Sequence, residues 1–474
     1  MSTQCTPEQL EFHGVGRRRV VGRFDGGRIT SDGGGLLLRE TDLRIGLLGR
    51  LARCFTDYRN EGSLEHSVRT LVSQRVYALA LGYEDLNDHD ALRADSTLAL
   101  LAGKRDLTGA GRVRERDRGC PLAGSSTLNR LELGTLEDAA EDRYKRIAAN
   151  GAAMDRLLVD VFLESGPEPP KEIWLDLDAT DDPLHGHQEG RFFHGYYGHY
   201  CYLPLYIFCG EHLLCARLRR SNIDASAGSV EELERIVAQI RSRWPKTKII
   251  LRADSGFCRE PLMRWCEDNG LFYVFGLARN TRLVRVVGRK MQEAKAAYRH
   301  THRPARRFRD FTYRTRKSWS RSRRVIGKAE YLPKGPNPRF VVTNLSIRQA
   351  GARRLYEKLY CARGDMENRI KEQQLGLFAD RTSTATMQAN QLRLYFASFA
   401  YVLMHGLRRL GLTGTQFARA QCTTIRLKLL KIGARIRISV RKIWLSLAEA
   451  YPYADELVKI LINLRSHPPW LTPT

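Results

Sequence analysis

The sequence predicts an α/β protein with a mixed five-stranded sheet flanked by helices, a mainly helical N-terminal region and a basic C-terminal extension. Two observations favour this class. Apolar residues before position 165 recur at helical spacing, whereas those from Ile173 onward alternate or run continuously, as in strands. From that point, strand-like and helix-like segments follow one another in the order βββαβαβ.

Residues 1–165 form the predicted helical region. Apolar side chains share one face over 41–55 and over 64–81, and a further helix is expected from about 137 to 162. The glycine triplet at 33–35 is interpreted as a turn rather than as a phosphate site. The proline-rich stretch 166–170 ends the region and is the best linker candidate.

Residues 166–280 contain the first half of the predicted core. Its predicted segments are strands at 173–177, 200–208 and 213–218, a helix at 229–243, a strand at 248–252, a helix at 259–269 and a strand at 271–277. Short turns make the first three strands an antiparallel meander, and the helix after them lets the fourth strand run parallel to one of these. This order is that of the ribonuclease-H-like fold.

The remaining chain divides into three predicted regions. Residues 281–345 are interpreted as a basic, β-rich insertion, because 281–340 hold 19 Lys and Arg against three acidic residues, interleaved with aromatics. Residues 346–410 return to the helical period as the second half of the core, with the helical pattern over 346–374 and a further, more apolar helix at 387–410. In the basic region 411–474, alternating apolar and cationic residues around Gly433 suggest two strands, although an amphipathic helix fits the same pattern.

The charge balance points to a polyanionic partner. Lys and Arg number 78 against 52 acidic residues, a formal net charge of +26, so nucleic acid is the first partner to consider. An anionic membrane surface is the competing interpretation, but the excess is spread over several segments rather than concentrated on one helix. No apolar run is long enough to span a membrane, no signal core is present, and we expect a cytoplasmic protein.

The ten cysteines form no C-x-x-C pair, which argues against a zinc finger. Several of them lie within apolar runs and are interpreted as small buried hydrophobic residues in a reducing compartment. The histidines at 185, 187, 194 and 199 match no zinc spacing either, and loop or DNA contacts are the favoured interpretation.

Two predicted strands each deliver an aspartate to their C-terminal end. Asp178 follows the first strand, with Asp176 as its main competitor, and Asp254 follows the fourth. If these strands are parallel neighbours, both acids emerge at one edge of the sheet, where ligands gather. Paired carboxylates repel each other unless a hard cation bridges them, and Mg²⁺ prefers such oxygen ligands. Turn or cap residues at strand ends are the alternative interpretation.

A third acid lies on a helix among cations. Tyr360, Arg363, Glu367 and Lys371 are three, four and four residues apart, so they share one helix face. The simplest interpretation is an exposed face joined by ion pairs. The same set suits a metal site beside DNA, with the glutamate on the ion and the cations on the phosphate backbone.

The chain resembles the DDE transposases of bacterial insertion sequences, in the group marked by Tyr, Arg, Glu and Lys on the third catalytic helix, and there the family named thirteen-eighty. The matching stretches are 175–186, 252–257 and 360–371, with 29–35 also typical. The resemblance implies that Asp178, Asp254 and Glu367 form the catalytic triad, with Tyr360 and Arg363 as accessory residues. The group's Lys usually lies seven residues after the Glu, where this chain has Gln374, so Lys371 is the expected substitute.

The resemblance also implies an activity and its partners. The expected reaction is Mg²⁺-dependent cleavage at transposon ends followed by strand transfer into target DNA, with two metal ions and Mn²⁺ as a replacement. The expected assembly is a homodimer that pairs two ends bearing terminal inverted repeats, near the bacterial nucleoid. The helices of 1–165 are expected to bind DNA and recognise the terminal repeats through phosphate and groove contacts. The insertion is expected to contact DNA, and Trp319 is the candidate for stacking on a flipped base. A non-transposing nuclease or recombinase of the same fold, or a catalytically dead DNA-binding protein, remain the alternatives.

Overall fold

The computed structural model describes residues 9–166 and 168–466, which form two compact units. The first unit comprises the residues up to Ala149 together with those from Leu403 onward, and the second runs from Asn150 to Val402. The protein is mixed α/β, as predicted, with one large mixed sheet in the second unit. Within the described ranges, no helix has both the length and the hydropathy required to cross a membrane.

The first unit opens with short strands and continues with helices. Its elements are β1 (Leu10–Val15), β2 (Arg18–Gly22), β3 (Arg28–Thr30), α1 (Leu36–Ile45), α2 (Leu47–Ala52), β4 (Phe55–Asp57), α3 (Val68–Leu81), α4 (Asp88–Leu92), α5 (Ser96–Leu101), α6 (Ser125–Leu133) and β5 (Ile147–Ala149). The single helix predicted at 41–55 is divided between α1 and α2, because Gly46 adopts a left-handed conformation with φ of 63°.

The second unit begins with the predicted core. Its elements are α7 (Gly151–Leu163), β6 (Glu172–Ala179), β7 (Asp182–Pro183), β8 (Phe192–His194), β9 (His199–Tyr202), β10 (Leu205–Cys209), β11 (His212–Arg217), α8 (Ser229–Arg243), β12 (Lys248–Ala253), α9 (Glu260–Asp268) and β13 (Phe272–Leu277). The helix predicted from about 137 starts only at α7, where the Asn150 side chain caps it by accepting from the Ala153 amide at 3.0 Å. Strand β10 is antiparallel to β6 and β11, and β12 is parallel to β6, which confirms the predicted strand pairing. The single strand predicted at 200–208 was wrong, because β9 and β10 are separate strands and β9 pairs with β7 and β8 in a second sheet. The segment with β7, β8 and β9, rather than a short turn, therefore connects β6 to β10.

The basic segment 281–345 is only partly β-structured. It contains α10 (Thr281–Val286), α11 (Gly288–Thr301), β14 (Ala305–Tyr313), β15 (Arg323–Leu332), β16 (Gly335–Pro336) and β17 (Arg339–Thr343). The β prediction was wrong for 281–301, where Leu283, Val287 and Met291 lie four residues apart and pack on the core. Strands β17, β15 and β14 continue the sheet beyond β13, with β16 paired to β15. Over the residues that the structure describes, the sheet therefore has nine strands rather than the predicted five. Eight of them follow the order β11-β10-β6-β12-β13-β17-β15-β14, and β16 lies off this path.

Both faces of this sheet are covered. On one face Leu175 and Leu177 pack with residues of α7, α8 and α9. On the other face Ile250 and Val274 pack against Leu355. Leu355 belongs to a helical stretch made of α12 (Ala352–Arg354), a π-helical segment (Leu355–Tyr360), a 3₁₀ turn (Cys361–Arg363) and α13 (Gly364–Leu377). This stretch brings the third predicted acid to the sheet face, and α14 (Met387–Leu410) follows it.

The chain then completes the first unit with α15 (Cys422–Ile425), a π-helical segment (Arg426–Leu430), β18 (Ala434–Ile438), β19 (Ile443–Leu447) and α16 (Ala454–Ser466). Of the two strands predicted around Gly433, the second is β18, whereas the first is helical. Ile425 and Leu429 are buried at helical spacing, and Arg426 donates to the carbonyls of Ala80 (2.9 Å) and Leu79 (3.2 Å) at the end of α3.

The glycine triplet Gly33–Gly35 is a buried 3₁₀ turn, as its interpretation as a turn predicts. A Cβ on Gly34 would lie 1.9 Å from the Leu429 carbonyl oxygen, so no side chain fits there. The triplet thus serves close packing between backbones of the first unit.

Candidate active site

Two strands of the sheet place acids side by side. The parallel register of β12 and β6 pairs Arg252 with Asp176 and Ala253 with Leu177, so Asp254 and Asp178 are the next residues along. The Asp254 carboxylate caps the turn that follows, accepting from the Gly256 amide at 2.8 Å. Because parallel strands end at the same edge, two distant aspartates meet there, as the sequence predicts for neighbouring strands.

Asp176 and Asp178 have different surroundings although both lie on β6. Asp176 is 4% exposed and accepts two hydrogen bonds from Arg252, Nε to Oδ1 at 2.5 Å and Nη2 to Oδ2 at 2.7 Å. Asp178 instead lines an open cleft at the edge of the sheet. The geometry therefore separates the two competitors, with Asp176 engaged in a buried ion pair and Asp178 facing the cleft.

The helical stretch after the sheet contributes the third acid through a bridging arginine. Arg363 donates from Nη1 to Asp178 Oδ2 at 3.1 Å and from Nη2 to Glu367 Oε1 at 2.6 Å. The guanidinium thus lies between the first and third acids and partly neutralises both. The expected i,i+4 ion pair between Arg363 and Glu367 is present, but Arg363 also pairs with Asp178, which is far away in the sequence.

The cleft has a volume of about 620 Å³ and combines carboxylates, cations and aromatic rings. All three predicted acids line it, together with Arg363 and Lys371, so the structure brings these five residues together. Its other polar and aromatic lining residues are Thr180, His194, Tyr196, Tyr197, Ser255, Phe257 and Gln374. Such a concave site with convergent charges has the character of a binding or catalytic site.

The pKa of Asp178 reflects its burial first and the neighbouring charges second. It is raised to about 6, because burial and the charges of Asp254 and Glu367 raise it more than Arg363 lowers it. An additional cation in the cleft would stabilise the ionised form of this carboxyl group. Perturbed carboxyl pKa values in a cleft are typical of functional sites.

The donor set suits a hard divalent ion, since three carboxylates supply the oxygen ligands that Mg²⁺ or Mn²⁺ prefers. In this side-chain arrangement, however, no group of three or more His, Cys, Asp or Glu residues stands close enough to hold an ion, as far as the described residues go. Arg363 occupies the space between Asp178 and Glu367. The chemistry of the donors fits a metal, and holding one would require Arg363 to move aside.

Tyr360 lies beside the cleft rather than in it. A Cβ added at Gly276 would lie 2.6 Å from the hydroxyl oxygen of Tyr360. Tyr360 lines a small cavity of about 280 Å³ together with Ser255, Arg279 and Arg339. Burial raises the pKa of Tyr360, so its phenol stays protonated and able to donate. Two arginines and a phenol next to Asp254 suit a phosphate group of a bound strand.

Trp319 is not brought to this site. Its side chain is 5% exposed and packs edge-on against Tyr313, with the ring centroids 5.8 Å apart and Arg323 over the indole at 5.5 Å. Among the cleft residues that the structure describes, Trp319 does not occur. An indole enclosed in the core presents no face to a base in this conformation.

The aromatic wall of the cleft was not predicted from the sequence. Strands β8 and β9 form a hairpin whose turn carries Tyr196, which is 88% exposed, and Tyr197. His199 on this hairpin contacts the Asp181 carboxylate at 2.8 Å, and the centroids of the His194 and Tyr197 rings are 4.8 Å apart, so both histidines have partners within the protein. The run Phe192 to Tyr197 is rich in aromatic residues between polar neighbours, a signal that could have identified an exposed stacking surface.

Comparison with known families gives a match over most of the sequence. A family model described as "Transposase DDE domain group 1" matches residues 12–469. No curated protein matches the chain. Seven chains of solved structures match, among them the cryo-EM structure of the piggyBac transposase synaptic complex with hairpin DNA, at 11% identity and a TM-score of 0.40, covering 85% of this chain and 80% of that one.

Proposed function

Because the chain belongs to the transposase family with a DDE domain of group 1, we propose that it cleaves DNA at the ends of a transposable element and joins them to target DNA. The observation that carries this proposal is the convergence of Asp178, Asp254 and Glu367 on one cleft that also holds Arg363 and Lys371. The proposed subgroup is the one with the Tyr-Arg-Glu-Lys signature, the thirteen-eighty family, on a ribonuclease-H-like core.

In this proposal Asp178, Asp254 and Glu367 would hold two Mg²⁺ ions, with Mn²⁺ as a substitute. When bound, such ions supply Lewis-acid activation of a nucleophile and of the leaving oxygen in phosphoryl transfer. The elevated pKa of Asp178 supports this assignment, because a buried carboxylate among like charges is stabilised by a cation.

The cations of the cleft position the DNA strand. Lys371 and Arg363 line the cleft beside the acids, where they neutralise the phosphate charge that three carboxylates would otherwise repel. Arg363 also holds Asp178 and Glu367 together, and moving it toward a scissile phosphate would release both acids. Tyr360 lies at the edge of this path and orients the adjoining phosphate from its side cavity.

The partners follow from the reaction. The protein would bind transposon-end DNA with terminal inverted repeats and then target DNA, and two chains would pair two ends as a homodimer. The net charge of +26 supports a DNA partner. The proposed location is the cytoplasm, at the nucleoid, and the proposed division of labour assigns end recognition to residues 1–165 and DNA contacts to 281–345 and 411–474.

The test uses the full-length chain with a labelled duplex that carries one end of the element, in Mg²⁺. We expect Asp178→Asn, Asp254→Asn and Glu367→Gln each to abolish cleavage while DNA binding persists. Asp268→Asn is the matched control, since its carboxylate lies on α9, is largely exposed and does not line the cleft. Cleavage at the wild-type rate by any of the three variants would refute the role of that residue.

A strand-transfer assay on paired ends separates the remaining hypotheses. Joined products identify a transposase, whereas cleavage without joining identifies a nuclease or recombinase. Binding without cleavage by the wild-type chain in either metal would leave only a DNA-binding protein.

A further inference from the structure

The first unit contains a basic cleft of about 540 Å³ that the proposed chemistry does not use. Separate segments of the chain line it, and each contributes arginine. Its lining residues are Arg59, Asn60, Gly62, Leu64, Glu65, His66, Val113, Arg114, Thr127, Arg130, Arg143, Tyr144 and Arg146. Because these residues come from the turn before α3, the loop after α5, α6 and the segment before β5, the cleft is assembled by the fold and is not a charged run of sequence.

Most of the positive charge in this basic cleft is not neutralised. Among the described residues that line it, Glu65 is the one acid, and it pairs with Arg112 at 2.9 Å. Arg59 pairs with Asp57 at 2.8 Å. In the part of the chain that the structure describes, neither Arg114 nor Arg130 nor Arg143 forms an ion pair, and all three are exposed. Arginines that lie together in one cleft repel each other, which costs free energy on a protein of this net charge. A bound anion would reduce this repulsion.

Tyr144 arranges two of these arginines. The Arg130 and Arg143 guanidinium carbons lie 5.4 Å and 5.1 Å from the centroid of its ring, which is 55% exposed. Stacking on one ring restricts both long side chains, so less entropy is lost when they bind a ligand. The ring itself adds a half-exposed aromatic surface at the rim of the cleft.

The wall of the cleft reflects the same positive potential. Burial, together with the charges of Arg112, Lys104 and Arg59, lowers the pKa of His66 to about 3. His66 also contacts Arg112 through its ring nitrogen. Because the imidazole is neutral, anion binding in this cleft depends on the arginines.

We propose that this basic cleft binds the phosphodiester backbone of the transposon-end DNA, an inference that rests on the proposed function. Guanidinium groups match phosphate oxygens in two-pronged geometry, and arginines converging from several segments can contact successive phosphates along a strand. An acidic peptide would also be attracted, but a chain of the DDE transposase family with an excess of basic residues favours the nucleic acid.

The experiment compares two double variants of the full-length chain. Arg130→Ala with Arg143→Ala removes two arginines of the cleft, and Arg53→Ala with Arg118→Ala removes two exposed arginines of the same unit that do not line it. Fluorescence anisotropy with an end-DNA duplex over a series of salt concentrations measures affinity and its salt dependence. Each phosphate contact that is lost should lower the affinity about 8-fold near 0.1 M salt. It should also reduce the slope of log affinity against log salt concentration by about 0.9.

The outcomes separate this inference from the proposed function. Equal affinity and slope for both double variants overturn the inference, whereas a wild-type chain that binds no DNA overturns the proposed function itself. The double variant Arg130→Lys with Arg143→Lys keeps both charges and is the control for misfolding. It should bind the DNA more weakly than wild type but with the wild-type salt slope. If inorganic phosphate binds in the cleft but the alanine variant holds DNA as well as wild type, the DNA assignment is wrong.

Discussion

Removing Arg252 should destabilise the second unit strongly, because it leaves the Asp176 carboxylate buried and without its cation. The two side chains are 9% and 5% exposed, and two hydrogen bonds of 2.5 and 2.7 Å join them. Arg252 also donates to the Leu359 carbonyl at 2.6 Å and lies 5.3 Å from the Trp174 ring centroid. Breaking one side of such a pair costs about 3–5 kcal/mol, which is roughly a 100- to 5000-fold drop in the folding equilibrium constant.

Urea unfolding followed by tryptophan fluorescence measures this loss for Arg252→Ala. Lys248→Ala is the matched control on the same strand, since its ion pair with Glu172 at 2.8 Å is solvent-exposed and should contribute about 0–1 kcal/mol. Burial raises the pKa of Asp176 and Arg252 lowers it, so in the variant the carboxyl takes up a proton more readily. The deficit should therefore shrink as the pH falls.

Two results would refute this reasoning. A loss of less than about 1 kcal/mol for Arg252→Ala would contradict a buried ion pair at this position. The assignment of the acids would be reversed if Asp176→Asn abolished DNA cleavage at native stability while Asp178→Asn cleaved normally. An apolar replacement of both partners, Asp176→Leu with Arg252→Met, should recover most of the lost stability.

Three further predictions concern other sites. Trp319→Ala should lower stability by about 3–5 kcal/mol, because the indole is core, and equal urea midpoints for variant and wild type would contradict this. Burial lowers the pKa of His89 to about 3, so the stability that the neutral imidazole contributes is complete above pH 6.5 and is lost as the pH falls toward 3. His89→Gln should therefore make the free energy of unfolding less dependent on pH between these values. An unchanged pH dependence would contradict this prediction. Tyr196→Ala should change stability by less than about 0.5 kcal/mol yet slow cleavage of element-end DNA, whereas Tyr196→Phe, which keeps the ring, should cleave as wild type; a Tyr196→Ala variant of undiminished rate would remove Tyr196 from the DNA path.

Local patterns in the sequence were enough to predict the strands that carry the acids. Buried strands read as continuous apolar runs, and an aspartate directly after such a run marks the end of the strand, as at Asp178 and Asp254. The helix predicted at 387–410 has the same bounds as α14, because a long apolar period leaves little ambiguity. The helix with Glu367 was also expected, although its π-helical and 3₁₀ turns were not.

Errors arose where a distant part of the chain decides the local structure. The segment 425–430 alternates like a strand but is helical, since Arg426 satisfies carbonyls at the end of α3. The interleaved aromatics of 311–319 suggested a DNA surface, yet Trp319 and Tyr313 pack on each other in the core. Neither outcome is encoded in the neighbouring residues, because each depends on contacts made across the fold.

The sequence alone determined that this is a basic protein with an α/β core and that its three acids lie on predictable strands and a helix. Hydrophobic period and charge are properties of short segments, so no tertiary contact was needed to find them. The folded chain was needed to show that Asp176 is paired with Arg252 while Asp178 opens to the cleft. It was also needed to show that β14, β15, β16 and β17 extend the sheet to nine strands within the described residues. Burial, ion pairing and strand partnership are fixed by residues far apart in the chain, because folding selects among arrangements that look alike locally.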